Sequence, residues 1–305
     1  MSRQWKSTGV KQVIVVKNFT KSLVDSNVYP NLLSTPSVYY ANDRKEIVNK
    51  GLRIGKMLGK KLQIRGEERL LKNTRLNSGR IDKRLIAELG FGNSNVFHTI
   101  NIDKFPDGFL HISLDASGSM SGEKLNKSLT CAIAIIQAVD MIQNFDVVFS
   151  LRGTQDTGEL PVIMYAYDSR VDKISKVRKL FRYLHCGSTT PEGLCFEAIM
   201  KDFVPSTSNR DSYFLNFSDG QPMFSDDGFE YYGDNALQHT KKQVKEIVKK
   251  GISVMSYFIG DSEYDRSRNM DDFKTMYGKD AEFVDVTKVS SLAKTMNNLF
   301  LEKGK

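Results

Sequence analysis

Cysteine is scarce: Cys131, Cys186 and Cys195 are the only three in 305 residues. An odd set with no C-x-x-C pair excludes a disulfide framework and a zinc ribbon, and it suits a reducing compartment. Long hydrophobic runs are missing as well. Runs such as residues 132–136 and 13–16 fall far short of the roughly 18–20 apolar residues needed to cross a bilayer, so a membrane-spanning helix is excluded. The opening residues Met1-Ser-Arg-Gln-Trp-Lys lack the apolar core and small-residue cleavage site of a secretory signal, which predicts a cytoplasmic protein. The four histidines, His98, His111, His185 and His239, form neither H-E-x-x-H nor H-x-E, so no general base or zinc-hydrolase motif is legible. What is present, 40% hydrophobic, 10% aromatic and 26% charged residues, is the composition of a folded globular chain.

Charge is unevenly placed. Residues 1–90 hold 19 Lys and Arg against 7 Asp and Glu, a net +12, which leaves −4 for residues 91–305 out of the total of +8. In the basic stretch 44–84, Ile47, Val48, Leu52, Met57, Leu58 and Leu62 recur at helical spacing among Lys50, Arg53, Lys56, Lys60, Lys61 and Arg65, which predicts one or two amphipathic basic helices. Three uses fit such a helix: a solvated face packed on its own domain, a docking surface for an acidic protein, or a nucleic-acid patch. Residues 44–84 contain no Phe, Tyr or Trp to stack on bases, which argues against specific nucleic-acid binding. Gly51-Leu-Arg-Ile-Gly-Lys-Met fails as a phosphate loop, with three residues between its glycines and Met57 where Ser or Thr belongs.

Residues 13–16 read as a strand, and the Ser/Asn/Pro-rich stretch to Tyr40, with Pro30 and Pro36, reads as irregular. From Phe109 onward, strand-like runs at 109–114, 145–151, 162–167, 213–217, 254–259 and 282–286 alternate with helical patterns at 124–143, 175–184, 191–201, 236–250, 270–277 and 290–302. This alternation predicts an α/β fold with a doubly wound, mainly parallel sheet. The predicted divisions are an irregular segment 1–43, a basic helical extension 44–105 and an α/β domain 106–305. Ligands of such sheets bind at the carboxyl ends of the strands, so the loops there matter most.

The first of these strands runs into Asp115-Ala-Ser117-Gly-Ser119-Met-Ser-Gly122, a D-x-S-x-S pattern. One carboxylate and two hydroxyls at alternate positions converge if the loop curls, which Gly118 and Gly122 ease. The fourth strand ends in Ser218-Asp219-Gly220, and the intervening Cys186-Gly-Ser-Thr-Thr-Pro-Glu-Gly carries Thr189 and Thr190 just before Pro191, a residue suited to a helix's first turn. Taken singly, Asp115 and Ser117 read as helix caps and Asp219-Gly220 as a turn. Together they put oxygen ligands on three loops of one sheet edge, and hard oxygens select magnesium, manganese or calcium.

In these motifs the chain resembles the von Willebrand factor A (VWA) family over about residues 109–301, with its metal-ion-dependent adhesion site (MIDAS). The resemblance implies that Asp115, Ser117, Ser119, Thr190 and Asp219 surround one Mg²⁺ or Mn²⁺, with Thr189 the alternative to Thr190. The segment Leu76-Asn-Ser-Gly-Arg-Ile-Asp-Lys-Arg-Leu, followed some twenty-five residues later by Ile112-Ser-Leu-Asp-Ala-Ser-Gly-Ser-Met-Ser-Gly, is also similar to the T subunit of the aerobic cobaltochelatase. That similarity implies partnership with an AAA+ ATPase of the chelatase or MoxR type. The chain lacks that subunit's long acidic linker, and its 187–193 loop departs from the subunit's pattern.

Hydroxyl-rich coordination leaves a divalent ion strongly attractive to an outside carboxylate, which favours binding over turnover. Gly118-Ser119-Met120-Ser121-Gly122 is one residue out of step with a nucleophile elbow. The expectation is a metal-dependent adaptor subunit and not an enzyme; an adhesion or nucleic-acid-binding protein without an ATPase is the alternative, and a metal-dependent hydrolase a third. The long connection after Asp219 carries Phe229 and Tyr232 among Asp226, Asp227, Glu230 and Asp234, and is expected either to grip a partner or to fold back as a lid.

Overall fold

The computed structural model describes residues 12–37, 41–69, 74–99, 107–142, 144–156, 160–187, 189–226, 229–260 and 263–285, with the backbone alone at 41–42, 62–69, 74 and 263–268. The helix predicted at 290–302 lies outside the described residues.

Strand β1 (Ile14–Val16) comes first, then α1 (Lys21–Asp25), capped by the Thr20 hydroxyl accepting from the Leu23 N–H. The basic stretch forms one long helix, α2 (Ala41–Arg69). Its continuation is not a second helix but β2 (Thr74–Leu76), β3 (Arg80–Ile81) and β4 (Phe97–His98), joined in a small antiparallel sheet of order β2-β4-β3.

The remaining elements are β5 (Asp107–Asp115), α3 (Glu123–Val139), β6 (Phe145–Thr154), β7 (Pro161–Asp168), α4 (Ser175–Leu180), α5 (Glu192–Ala198), β8 (Arg210–Ser218), β9 (Phe224–Asp226), β10 (Phe229–Tyr231), α6 (Gly233–Lys249), β11 (Ser253–Gly260), α7 (Glu263–Tyr277) and β12 (Glu282–Asp285). All six strands predicted between 109 and 286 are present. They form one sheet in the order β1-β7-β6-β5-β8-β11-β12. Every pairing is parallel except β6 with β7, so β7 and β1 run against the other five. The fold is α/β with a mainly parallel, doubly covered sheet, as expected.

Sheets covered on both faces read as unbroken apolar runs, and β5 is buried at every position after Asp107. On one face Leu110, Ile112, Leu114, Val147, Phe149 and Leu215 pack in a core shared with α3 and α2. On the other, Phe109, Val148, Ile163 and Phe214 meet Phe196 of α5 and Val244 and Ile247 of α6.

The segment expected to be irregular also contributes to this body. Val15 pairs with Ile163 in β7, and Phe19, Val24, Leu32 and Leu33 join the core on the α3 side. Helix α2 lies against α3 through Gly51, Gly55 and Gly59, spaced four apart along one face. A methyl group at Gly51 would sit 2.7 Å from Ile133 Cγ2, one at Gly55 2.5 Å from the Ala134 carbonyl, and one at Gly59 2.6 Å from Met141 Sδ. The opposite face of α2 exposes Lys45, Lys50, Arg53, Lys56 and Lys60. Among the described residues no helix is long and apolar enough to cross a membrane.

Candidate metal centre

Because β5 and β8 are parallel neighbours, both end on the same sheet edge, with Leu114 opposite Phe217. Asp115 is the last residue of β5 and is fully buried. Its Oδ1 accepts the Ser117 backbone N–H at 2.8 Å, which turns the chain back over the strand end. A short 3₁₀ turn, Gly118–Met120, follows, and Gly122 at φ 78° turns the chain into α3, a conformation that favours glycine. Gly118 does not adopt a positive φ, so of the two glycines expected to ease the curl only Gly122 uses that freedom.

The three predicted loops meet here. Thr190 Oγ1 donates to Asp115 Oδ2 at 3.2 Å. Ser119 Oγ donates to Asp219 Oδ1 at 2.8 Å, Ser117 Oγ lies 3.4 Å from the same oxygen, and the two serine hydroxyls are 3.0 Å apart. Asp115, Ser117, Thr190 and Asp219 are buried, and Ser119 sits at the solvent edge. Thr190 touches Asp115, and Thr189 lines the cleft above.

Two neighbours escaped the sequence reading. Ser218 Oγ donates to Asp115 Oδ2 at 2.9 Å, and Lys124 Nζ lies 2.8 Å from Asp219 Oδ2. A signal for Lys124 did exist: a lysine in the first turn of a helix opposes the helix dipole and calls for a nearby anion.

Beneath the site, Arg152 on β6 and Glu192 at the start of α5 form an ion pair that is completely buried. Arg152 also donates to Ser113 Oγ at 3.0 Å and to the Phe217 carbonyl at 3.2 Å, and Asn216 Nδ2 lies 3.4 Å from Glu192. Glu192 follows Thr190 by two residues, so this pair ties the threonine loop to the sheet. Burial raises the Asp115 carboxyl to about 6, aided by the charges of Asp219 and Glu192 and opposed by Arg152.

The donor chemistry fits a hard divalent cation. Two carboxylates and three hydroxyls supply only oxygen, and a hydroxyl that donates to a carboxylate keeps its lone pairs for a metal. Among the described residues no group of three or more His, Cys, Asp or Glu side chains is placed to hold a metal, which sets this carboxylate-poor set apart from zinc or di-iron sites.

Above the donors opens a cleft of about 690 Å³, lined in part by Thr189, Gln221, Met223, Tyr232 and Asn269. The connection after Asp219 is not an irregular loop. It forms the β9–β10 hairpin, fastened to the threonine loop where the Met223 N–H donates to the Thr190 carbonyl at 2.9 Å. The aromatics divide by strand alternation. Phe224 and Tyr231 are buried with Leu194 and Ala236, Phe229 is half-buried against Phe224, and Met223 and Tyr232 stand exposed at the cleft rim. Of the two residues expected to meet a partner, only Tyr232 lines the cleft.

No protein-family model matches the chain, and no curated protein matches its sequence. Solved structures with a similar course include the open form of the pilus adhesin SpaC from Lactobacillus rhamnosus GG (12% identity, TM-score 0.49, 65% of this chain and 30% of that one). Another is the vWF domain of the type V pili tip protein Mfa5 from Porphyromonas gingivalis (8% identity, TM-score 0.49, 66% and 97%). A third is the manganese-loaded TRAP protein of Plasmodium vivax (14% identity, TM-score 0.41, 63% and 74%). The chain thus spans about 30% of the pilus adhesin's length.

Proposed function

We propose that this chain is a metal-dependent protein-interaction subunit whose ion recognises an Asp or Glu side chain of a partner. The observation that carries the reading is the convergence of Ser117, Ser119, Thr190 and Asp219 on one open cleft, with Asp115 buried behind Thr190. Bound Mg²⁺ or Mn²⁺ would supply a Lewis-acidic position that an outside carboxylate completes. The residues of the chain do the rest. Asp115 and Asp219 provide the only two formal negative charges of the donor set, the three hydroxyls orient against them, and the Arg152–Glu192 pair fixes the threonine loop. Tyr232 and Met223 offer apolar contact to whatever flanks the partner's carboxylate.

We further propose that the partner belongs to an AAA+ ATPase of the chelatase or MoxR type, in line with the cobaltochelatase resemblance, and that the basic face of α2 docks on acidic protein surface. The chain acts by binding and not by turnover. Supporting this, burial raises the Cys186 thiol to about 12 and lowers the His111 imidazole to about 3, so neither is poised as a nucleophile or base near neutral pH. Cys131, Cys186 and Cys195 are all buried, and an odd set of three suits a cytoplasmic location.

Isothermal titration with Mn²⁺ tests the ion site. Wild type is expected to bind one equivalent and Asp115→Ala none, while the variant keeps its far-UV circular dichroism; equal binding by the two proteins would refute the assignment.

A further inference from the structure

Lys124 is the second residue of α3, where the helix dipole disfavours a positive charge. Its side chain is nonetheless only 11% exposed, and its ammonium lies 2.8 Å from Asp219 Oδ2, on a carboxylate side chain 1% exposed. Burying a lysine this deeply is costly unless a carboxylate offsets it, and Asp219 supplies one. The two oxygens of Asp219 divide the work: Oδ1 meets the hydroxyls of Ser117 and Ser119, and Oδ2 meets Lys124. Asp115 differs, its contacts coming from the Ser117 N–H and the hydroxyls of Thr190 and Ser218, all neutral donors.

We propose that Lys124 is a tethered cation for this site. Without metal, its ammonium neutralises Asp219 and holds the β5 and β8 loops together. With metal, its charge lowers the site's affinity for the divalent ion, so that the ion is retained best when a partner carboxylate arrives. The second half rests on the proposed ion site; the first does not. The donor set with Lys124 carries one net negative charge and without it two, and a unit charge this close to a divalent ion is expected to alter affinity by about tenfold or more at an effective interior dielectric of about 20.

The test compares wild type, Lys124→Met and Lys124→Met/Asp219→Asn by thermal unfolding in EDTA, and the first two by Mn²⁺ titration. In EDTA, Lys124→Met is expected to melt ~5–10 °C below wild type, because it removes the ammonium that pairs with the buried Asp219 carboxylate, and the double variant is expected to recover most of that loss. Mn²⁺ is expected to bind Lys124→Met about tenfold tighter than wild type and to raise its melting temperature more. An unchanged melting temperature in EDTA, or a double variant no better than the single, overturns the tethered cation and leaves Lys124 as packing. Equal or weaker Mn²⁺ binding by Lys124→Met overturns the effect on affinity. If Mn²⁺ binds neither protein while the EDTA results come out as expected, the ion site itself fails and the tethered cation stands. Should Lys124→Met not fold, a folded double variant supports the pairing and an unfolded one refutes it.

Discussion

Replacing Gly55 by alanine gives opposite answers depending on whether α2 packs on α3 or stands free. In an isolated helix the change is favourable by up to ~1 kcal/mol, because glycine loses the most backbone freedom on becoming helical. In this fold the new methyl would lie 2.5 Å from the Ala134 carbonyl oxygen and 2.6 Å from Gln137 Cβ. A backbone carbonyl inside a helix cannot swing aside, so ordinary contact at 3.4 Å or more requires the two helices to part by about 0.9 Å. A gap of that size forfeits about a quarter to a half of each contact's attraction along the seam. Overpacking of this kind costs ~1–3 kcal/mol. Set against the full helix-propensity gain, the expected result is a net loss of up to ~2 kcal/mol and a melting temperature lower by up to ~6 °C. Asn49, on the exposed face of the same helix, is the control: Asn49→Ala should leave stability unchanged or slightly improved. Thermal unfolding followed by circular dichroism reads both. A rise in melting temperature for Gly55→Ala would show that the glycine seam does not hold α2 on the domain.

Two further predictions concern buried charge. Arg152→Met should cost ~3–5 kcal/mol in urea unfolding, because it strands Glu192 in the core, and Arg152→Met/Glu192→Gln should regain at least half; a double variant as unstable as the single would refute the pairing. His111 is buried among Tyr165, Phe203 and Phe214 with Ser150 Oγ at 2.8 Å, and burial lowers its imidazole from 6.5 to about 3 against the weaker pull of Asp202 and Asp168. Since the folded value is depressed, its contribution is fully present above pH 6.5 and is lost as pH falls from there towards 3, with a ceiling of ~5 kcal/mol. His111→Phe should flatten the fall in stability between pH 6.5 and 4; an unchanged slope would place the acid sensitivity elsewhere.

The strands of the main sheet were legible because burial on both faces leaves short unbroken apolar runs, which their length and β-branched and aromatic content mark as strands. Orientation was harder. Only residues 155–160 separate β6 from β7, too few for a parallel crossover, so the antiparallel pair could have been read from loop length once the strand ends were known. Pairing of Val15 with Ile163 could not, since nothing local to residues 13–16 names a partner so far along the chain. The glycines of α2 were weighed as a failed phosphate loop; their spacing of four is the face that meets α3, a pattern that requires a helix already assumed.

At the site, strand ends and spacing drew attention to the three loops, the VWA resemblance implied the set Asp115, Ser117, Ser119, Thr190 and Asp219, and these side chains lie together. Ser218 was passed over because a strand-end serine has no motif of its own, and Lys124 because its place in a helix's first turn calls for an anion without saying which; their roles appear only once the carboxylates they serve are placed. Phe229 and Tyr232 were taken together, and the short hairpin separates them by alternation, one half-buried against Phe224 and one at the rim.

The edge position of β1 sets a schedule for synthesis. Its neighbour in the sheet, β7, spans Pro161–Asp168, so about 150 further residues must be made before β1 has anywhere to pair. At about 5–20 residues per second that is an interval of roughly 8–30 s. Helix α2 waits as well, because the face that receives its glycines belongs to α3, Glu123–Val139. For much of translation the nascent chain therefore displays an unpaired apolar strand and a lysine-rich segment beside the ribosome. Stalling or truncation before β7 would leave that strand exposed to aggregation, whereas a chain released after β7 can close its own edge.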